Sequence, residues 1–160
     1  MNSNPVSGMQ LEEASPADAE VLIALENRCF DGDRIRPRSL RRLLRIPTAC
    51  CLVARNGVSL CGALVLLFRS GSERARIYSL AVDPAARGRG VAAALLAAAE
   101  EAARNRRCKQ LTLEVRNDNA AARRLYEKAG FSLRGSRPGY YEDGAEALCF
   151  RKELNFGPHG

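Results

Sequence analysis

Residues 78–92, Tyr-Ser-Leu-Ala-Val-Asp-Pro-Ala-Ala-Arg-Gly-Arg-Gly-Val-Ala, run from an apolar strand through a glycine-bearing turn straight into an alanine- and leucine-rich helix. That junction is suited to hold a phosphate. The first backbone N–H groups of a helix have no partner inside it and sit at the positive end of its dipole, so a turn of small residues lets an anion approach them. Arg87 and Arg89 flank the two glycines and add positive charge.

Spacing separates the phosphate loops that share these features. A Walker loop needs Lys and Ser or Thr after its glycines, and none follows here. Gly88 and Gly90 supply the G-x-G of a dinucleotide fingerprint, but residue 93 is Ala, and the run lies mid-chain rather than opening a nucleotide-binding unit. The pattern that fits is R-x-x-G-x-A, formed by Arg87, Gly90 and Ala92. Downstream, Leu111-Thr112-Leu113-Glu114-Val115-Arg116 alternates as a strand does. Asn119 then caps a helix that runs through Leu125-Tyr126-Glu127 and stops at Gly130. The run Tyr140-Tyr141-Glu142-Asp143-Gly144-Ala145-Glu146-Ala147-Leu148 follows.

Together, R-x-x-G-x-A, L-E-V-R, N-x-x-A, L-Y-E-x-x-G-F and Y-Y-x-D-G-x-x-A-L resemble the GNAT superfamily of N-acetyltransferases. They are most similar to its ribosomal-protein-alanine branch, which acetylates protein N-termini. The resemblance runs from Met9 to Leu154. It implies an α/β fold with a mixed, mostly antiparallel sheet of about seven strands, splayed at strands 4 and 5 and flanked by about four helices. It also implies acetyl-CoA as co-substrate and no metal. Arg87, Gly88, Arg89, Gly90, Val91 and Ala92 would then hold the pyrophosphate. Leu80, Ala81 and Val82 would pair with the pantetheine arm, Val82 N–H would support the oxyanion, and Asn119 would hydrogen-bond the arm. The resemblance makes Glu114 the base and Tyr126 the acid, a phenol that can donate to the leaving thiolate. Tyr140 and Tyr141 would frame the acceptor.

The ribosomal branch carries an aromatic F-P-W-S-like segment after its first helix. This chain has Cys29-Phe30-Asp31-Gly32-Asp33-Arg34-Ile35-Arg36-Pro37-Arg38 there, and no tryptophan anywhere. The acceptor therefore stays open among a protein N-terminus, a lysine, a polyamine-like compound and an acidic metabolite. A CoA-binding regulatory module is the alternative from another class.

The length of 160 residues suits one domain, expected over residues 9–154, with 1–8 and 155–160 as loose ends. No apolar run is long enough for a membrane span and no signal peptide opens the chain, so the expected location is cytoplasmic. Six cysteines without a C-x-x-C read as reduced structural thiols. The single histidine, His159, sits in a Gly- and Pro-rich tail, which excludes a Ser-His-Asp or Cys-His triad and a histidine-bearing metal site.

Net charge is +7, much of it in Arg34, Arg36, Arg38, Arg41, Arg42 and Arg45. A solvated helix face, with Leu40, Leu43 and Leu44 turned inward, accounts for these arginines. An acidic acceptor, RNA near a ribosomal substrate and the CoA phosphates are the other uses open to them. No aromatic residues are interleaved to stack bases, so nucleic acid is expected only by way of a ribosomal substrate.

Strands are expected at 9–13, 50–55, 60–69, 76–82, 109–115, 131–137 and 147–153, and helices at 16–29, from 37 or 39 to 45, from 90 onward and 119–130. Asn56-Gly57 marks a hairpin. Val91, Ala94, Leu95, Ala98 and Ala102 form the expected core stripe of the third helix.

Overall fold

Leu64 and Leu66 point to one face of a central strand and Ala63 and Val65 to the other, and all four are buried. A strand buried on both faces requires a covering layer on each side. The computed structural model describes residues 8–154 and has that arrangement; both terminal segments expected to be loose extend outside this range.

The elements in chain order are β1 (Met9–Glu13), α1 (Ala19–Cys29), α2 (Pro37–Leu43), β2 (Ala49–Asn56), β3 (Ser59–Phe68), β4 (Arg74–Val82), α3 (Val91–Asn105), β5 (Gln110–Arg116), α4 (Ala120–Lys128), β6 (Ser132–Arg137) and β7 (Ala147–Glu153). One seven-stranded sheet has the order β1-β2-β3-β4-β5-β7-β6. Every neighbouring pair is antiparallel except β4 and β5.

α1 and α2 bury Leu22, Leu25, Leu40 and Leu43 against one sheet face. α3 and α4 bury Val91, Leu95, Ala99 and Tyr126 on the other. The α3 stripe is rotated from the expected one: Val91, Leu95, Leu96, Ala99 and Ala103 are buried, while Ala94, Ala98 and Ala102 are half-buried. The larger Leu96 side chain gains more from burial than an alanine does, and it sets the angle.

Several boundaries also differ from expectation. Residues 16–18 form a 3-10 turn, with Ser15 N–H donating to the Asp18 carboxylate at 2.9 Å, before α1 begins at Ala19. α2 ends at Leu43. The hairpin turn is Gly57-Val58, since Asn56 still pairs with Ser59; Gly57 takes the positive φ (+67°) that such a turn requires. The arginines of α2 face outward, and Arg41 pairs with Glu20 at 2.6 Å.

α3 approaches β3 very closely at Gly62. A Cβ there would lie 2.9 Å from the Ala81 carbonyl oxygen and 3.0 Å from Val91 Cγ1. Glycine at this position is what allows the start of α3 to lie on the β3–β4 pair.

Candidate active site

β4 and β5 pair only from Arg74↔Gln110 to Ile77↔Leu113. Beyond Ile77, β4 runs on to Val82 and β5 to Arg116, and the two strands no longer pair. The register between β3 and β4 shifts at the same level: Leu66 opposes Ile77 and Val65 opposes Ser79, so Tyr78 is a bulge residue. A bulge bends and twists its strand, which accounts for the split. On the far side of the split Asp83 N–H donates to the Cys61 carbonyl in β3 at 2.8 Å. By strand alternation the N–H groups of Leu80 and Val82 face away from β3, toward the gap.

Two cavities meet β4 at successive residues. The first is a cleft of about 600 Å³ lined by Leu80, Ala81, Val82, Arg87, Gly88, Gly90, Val91, Ala92, Asn119 and Tyr126. Nearly all the residues expected to hold a nucleotide thiol therefore come together, and Arg89 alone lies outside the lining. Gly88 and Gly90 have φ of +79° and +80°, left-handed values that suit glycine. The preceding turn is fixed by Asp83, whose carboxylate accepts Ala85 N–H at 2.9 Å and pairs with Arg28 at 2.8 Å. These bonds hold the Asp83 carboxyl below its usual value. Asn119 Oδ1 accepts Ala122 N–H at 3.0 Å, so this residue caps α4 and lines the cleft at once.

Tyr126 is only 8% exposed, its ring edge-on to Phe131. Burial pushes its phenol up to about 12. Cys29, which reads in the sequence only as a structural thiol, donates to the Val82 carbonyl at 3.3 Å, and Arg87 Nε donates to the same oxygen at 3.2 Å.

The second cavity, about 270 Å³, is lined by Asp33, Arg34, Ile35, Arg76, Tyr78, Ser79, Glu114, Tyr140, Tyr141 and Glu142. Glu114 and the Tyr140–Tyr141 pair, with ring centroids 5.0 Å apart, thus lie in a different cavity from Tyr126. Glu114 is not free: Arg76 donates to its Oε1 through Nε at 2.9 Å and Nη2 at 2.7 Å. Arg76 also donates to the Tyr140 hydroxyl at 2.8 Å.

Two further residues brace this cavity. Glu26, 6% exposed, accepts the Ile35 N–H at 2.8 Å and the Ser79 hydroxyl at 3.3 Å, and burial raises its carboxyl above the usual range. Arg116 bonds Asp33, Asp118 and Asp143. A carboxylate within the apolar stripe of α1 was the one sequence sign of Glu26.

The chain matches the acetyltransferase (GNAT) family over residues 19–131. It belongs to that family. This GNAT protein is an N-acetyltransferase, similar at 36% identity over 141 residues to the N-alpha-acetyltransferase RimI of Mycobacterium tuberculosis, covering 86% of this chain and 87% of that one. It is also 36% identical over 143 residues (87% of this chain) to an uncharacterised protein of Mycobacterium leprae, of which it spans 39%. Among solved structures, Ard1 of Thermoplasma volcanium superposes with a TM-score of 0.84 at 28% identity, over 92% of this chain and 99% of that one. A ribosomal-protein alanine N-acetyltransferase of Escherichia coli gives the same TM-score at 21% identity, over 95% and 97% of the two chains, and shares the fold.

Proposed function

We propose that this GNAT N-acetyltransferase forms one domain over residues 9–154. In our reading it moves an acetyl group from acetyl-CoA directly to a primary amine, with the N-terminal amine of a protein as acceptor. The observation that carries this reading is the split between β4 and β5, with a glycine-floored cleft at one end and a carboxylate cavity beside it.

The residues present fit the co-substrate. Left-handed Gly88 and Gly90 let phosphates approach the first N–H groups of α3, with Arg87 adding charge. Leu80 and Val82 offer backbone N–H groups to a pantetheine arm lying as an extra strand, and Asn119 borders the same cleft. Val82 N–H supports the carbonyl oxygen as it becomes tetrahedral. Across the split, Glu114 accepts the amine's proton as the C–N bond forms and the C–S bond breaks. The Tyr126 phenol, raised to about 12, stays protonated and serves as a hydrogen-bond donor to the departing sulfur; full proton transfer to a thiolate near 8.5 would be uphill. Tyr140 and Tyr141 flank the acceptor's entry.

The N-terminal acceptor rests on the name of the Mycobacterium tuberculosis relative and on the sequence resemblance. Thiol release from acetyl-CoA, measured across N-terminal peptides, lysine peptides, polyamines and acidic amino acids, tests it. Turnover confined to free N-termini is expected; turnover confined to another class overturns the acceptor assignment.

A further inference from the structure

Glu114 and Arg76 form an ion pair facing the acceptor cavity, and they are unequally placed: the Glu114 side chain is 12% exposed and that of Arg76 is 38% exposed. The guanidinium is therefore the more accessible charge of the pair. If an incoming ammonium draws Glu114 to itself, Arg76 is left without a counter-ion in a partly enclosed space, and stranding one partner of such a pair is costly. An acceptor that brings a carboxylate together with its amine avoids that loss. Its ammonium meets Glu114, its carboxylate meets Arg76, and one ion pair is exchanged for two.

We infer that Arg76 is a specificity-determining residue that selects acceptors carrying a carboxylate within a few bonds of the reacting amine. This rests on the transfer reading above. An N-terminal Asp or Glu has that chemistry, and so does a free amino acid. The guanidinium is already poised to bind, with Tyr140 O–H at 2.8 Å and the Tyr78 ring 5.5 Å beneath it. A planar fork of this kind grips a carboxylate at two points. Of the other charges around the cavity, Asp33 is engaged by Arg116, Arg34 donates to the Phe30 and Asp31 carbonyls, and Glu142 is exposed. Arg76 is thus the cation that stands beside the proposed base.

The test compares kcat/KM for peptides identical except for an initial Asp, Asn or Ala, and for free aspartate, with the unmodified protein and with Arg76→Gln and Arg76→Lys. The Asp-to-Asn ratio is expected to be about tenfold or more, a difference of about 1.4 kcal/mol. It should fall to near one in Arg76→Gln and be partly kept in Arg76→Lys. Because both peptides meet the same enzyme sample, the ratio is independent of the folded fraction. Faster turnover of the Asp peptide than of free aspartate assigns the carboxylate to a protein N-terminus, and the reverse assigns it to a small molecule; either order supports the inference if the ratio responds to Arg76. Equal use of Asp and Asn, or a preference that survives Arg76→Gln, overturns the inference alone. Turnover of none of these amines overturns the transfer reading and the inference with it.

Discussion

The carboxylate of Glu26 on α1 accepts the backbone N–H of Ile35 at 2.8 Å and so ties the segment between α1 and α2 back to α1. Both residues are buried. Glu26→Ala leaves that N–H without its partner and should destabilise the protein by about 1–3 kcal/mol. Burial raises the folded-state value of Glu26 above the ordinary 4.5, so the folded protein holds a proton that the unfolded chain releases first. Its contribution to stability is fully present below the ordinary value and is lost as pH rises through the raised one. Melting temperature followed against pH should show this decline, and Glu26→Gln should flatten it.

Gly62 sets the distance between α3 and β3. With Ala81 O and Val91 Cγ1 at 2.9 and 3.0 Å from an added Cβ, Gly62→Ala forces the helix start outward. The expected cost is about 1–3 kcal/mol, read from denaturant unfolding. Acetyl-CoA affinity should fall as well, because the displaced turn carries the proposed phosphate site.

Arg87→Ala and Gly90→Val separate side-chain charge from backbone access. The main-chain N–H groups do most of the binding in the proposed site, and Gly90 has φ of +80°, a strained value for valine. Isothermal titration with acetyl-CoA should show a smaller loss for Arg87→Ala than for Gly90→Val. The reverse order would place the affinity in the guanidinium.

Arg116 links two walls of the proposed acceptor cavity, through Asp33 at 3.3 Å in the segment after α1 and through Asp143 in the segment before β7. Arg116→Gln should raise the acceptor KM while leaving the acetyl-CoA KM nearly unchanged. Lysine should rescue only partly, since one ammonium cannot fork between carboxylates. The group is exposed to screening, so the acceptor KM of the unmodified protein should rise with ionic strength, and this dependence should weaken in the variant.

Tyr126 offers a pH test of its role. With the phenol raised to about 12 by burial, the donor stays protonated throughout the range in which the enzyme can be assayed. The kcat profile should show no alkaline loss from this group below about pH 11. Tyr126→Phe should lower kcat without shifting the acidic limb of that profile. Glu114→Gln should lower kcat as well, while acetyl-CoA affinity remains close to normal in both variants.

Element order and the glycine turn before α3 were legible in the sequence because they depend on neighbours in the chain. Asn119 caps the helix three residues ahead, and Gly90 takes its left-handed turn whatever lies across the sheet. The second cavity was not legible in the same way. Arg76 meets Glu114 across 38 residues and Tyr140 across 64, and Arg116 meets Asp33 across 83. Nothing local marks those partners among so many arginines. The rotation of the α3 stripe was hidden by its composition, since a helix rich in alanine has several nearly equivalent apolar faces until the sheet selects one.

The bulge at Tyr78 also settles a matter of parity. Before it, the odd-numbered Ala75 and Ile77 pack with α3 and α4; after it, the odd-numbered Ala81 packs with α1 and α2, while Leu80 and Val82 take the other side. One surplus residue has exchanged the faces of a single strand. Loss of one residue between Ile77 and Leu80 would remove the bulge while Leu80 stayed opposite Leu64 and Val82 opposite Gly62, so the strand would lose the bend that parts it from β5 and on which the proposed chemistry depends. In this stretch the chain can absorb changes of residue type far more readily than changes of residue count.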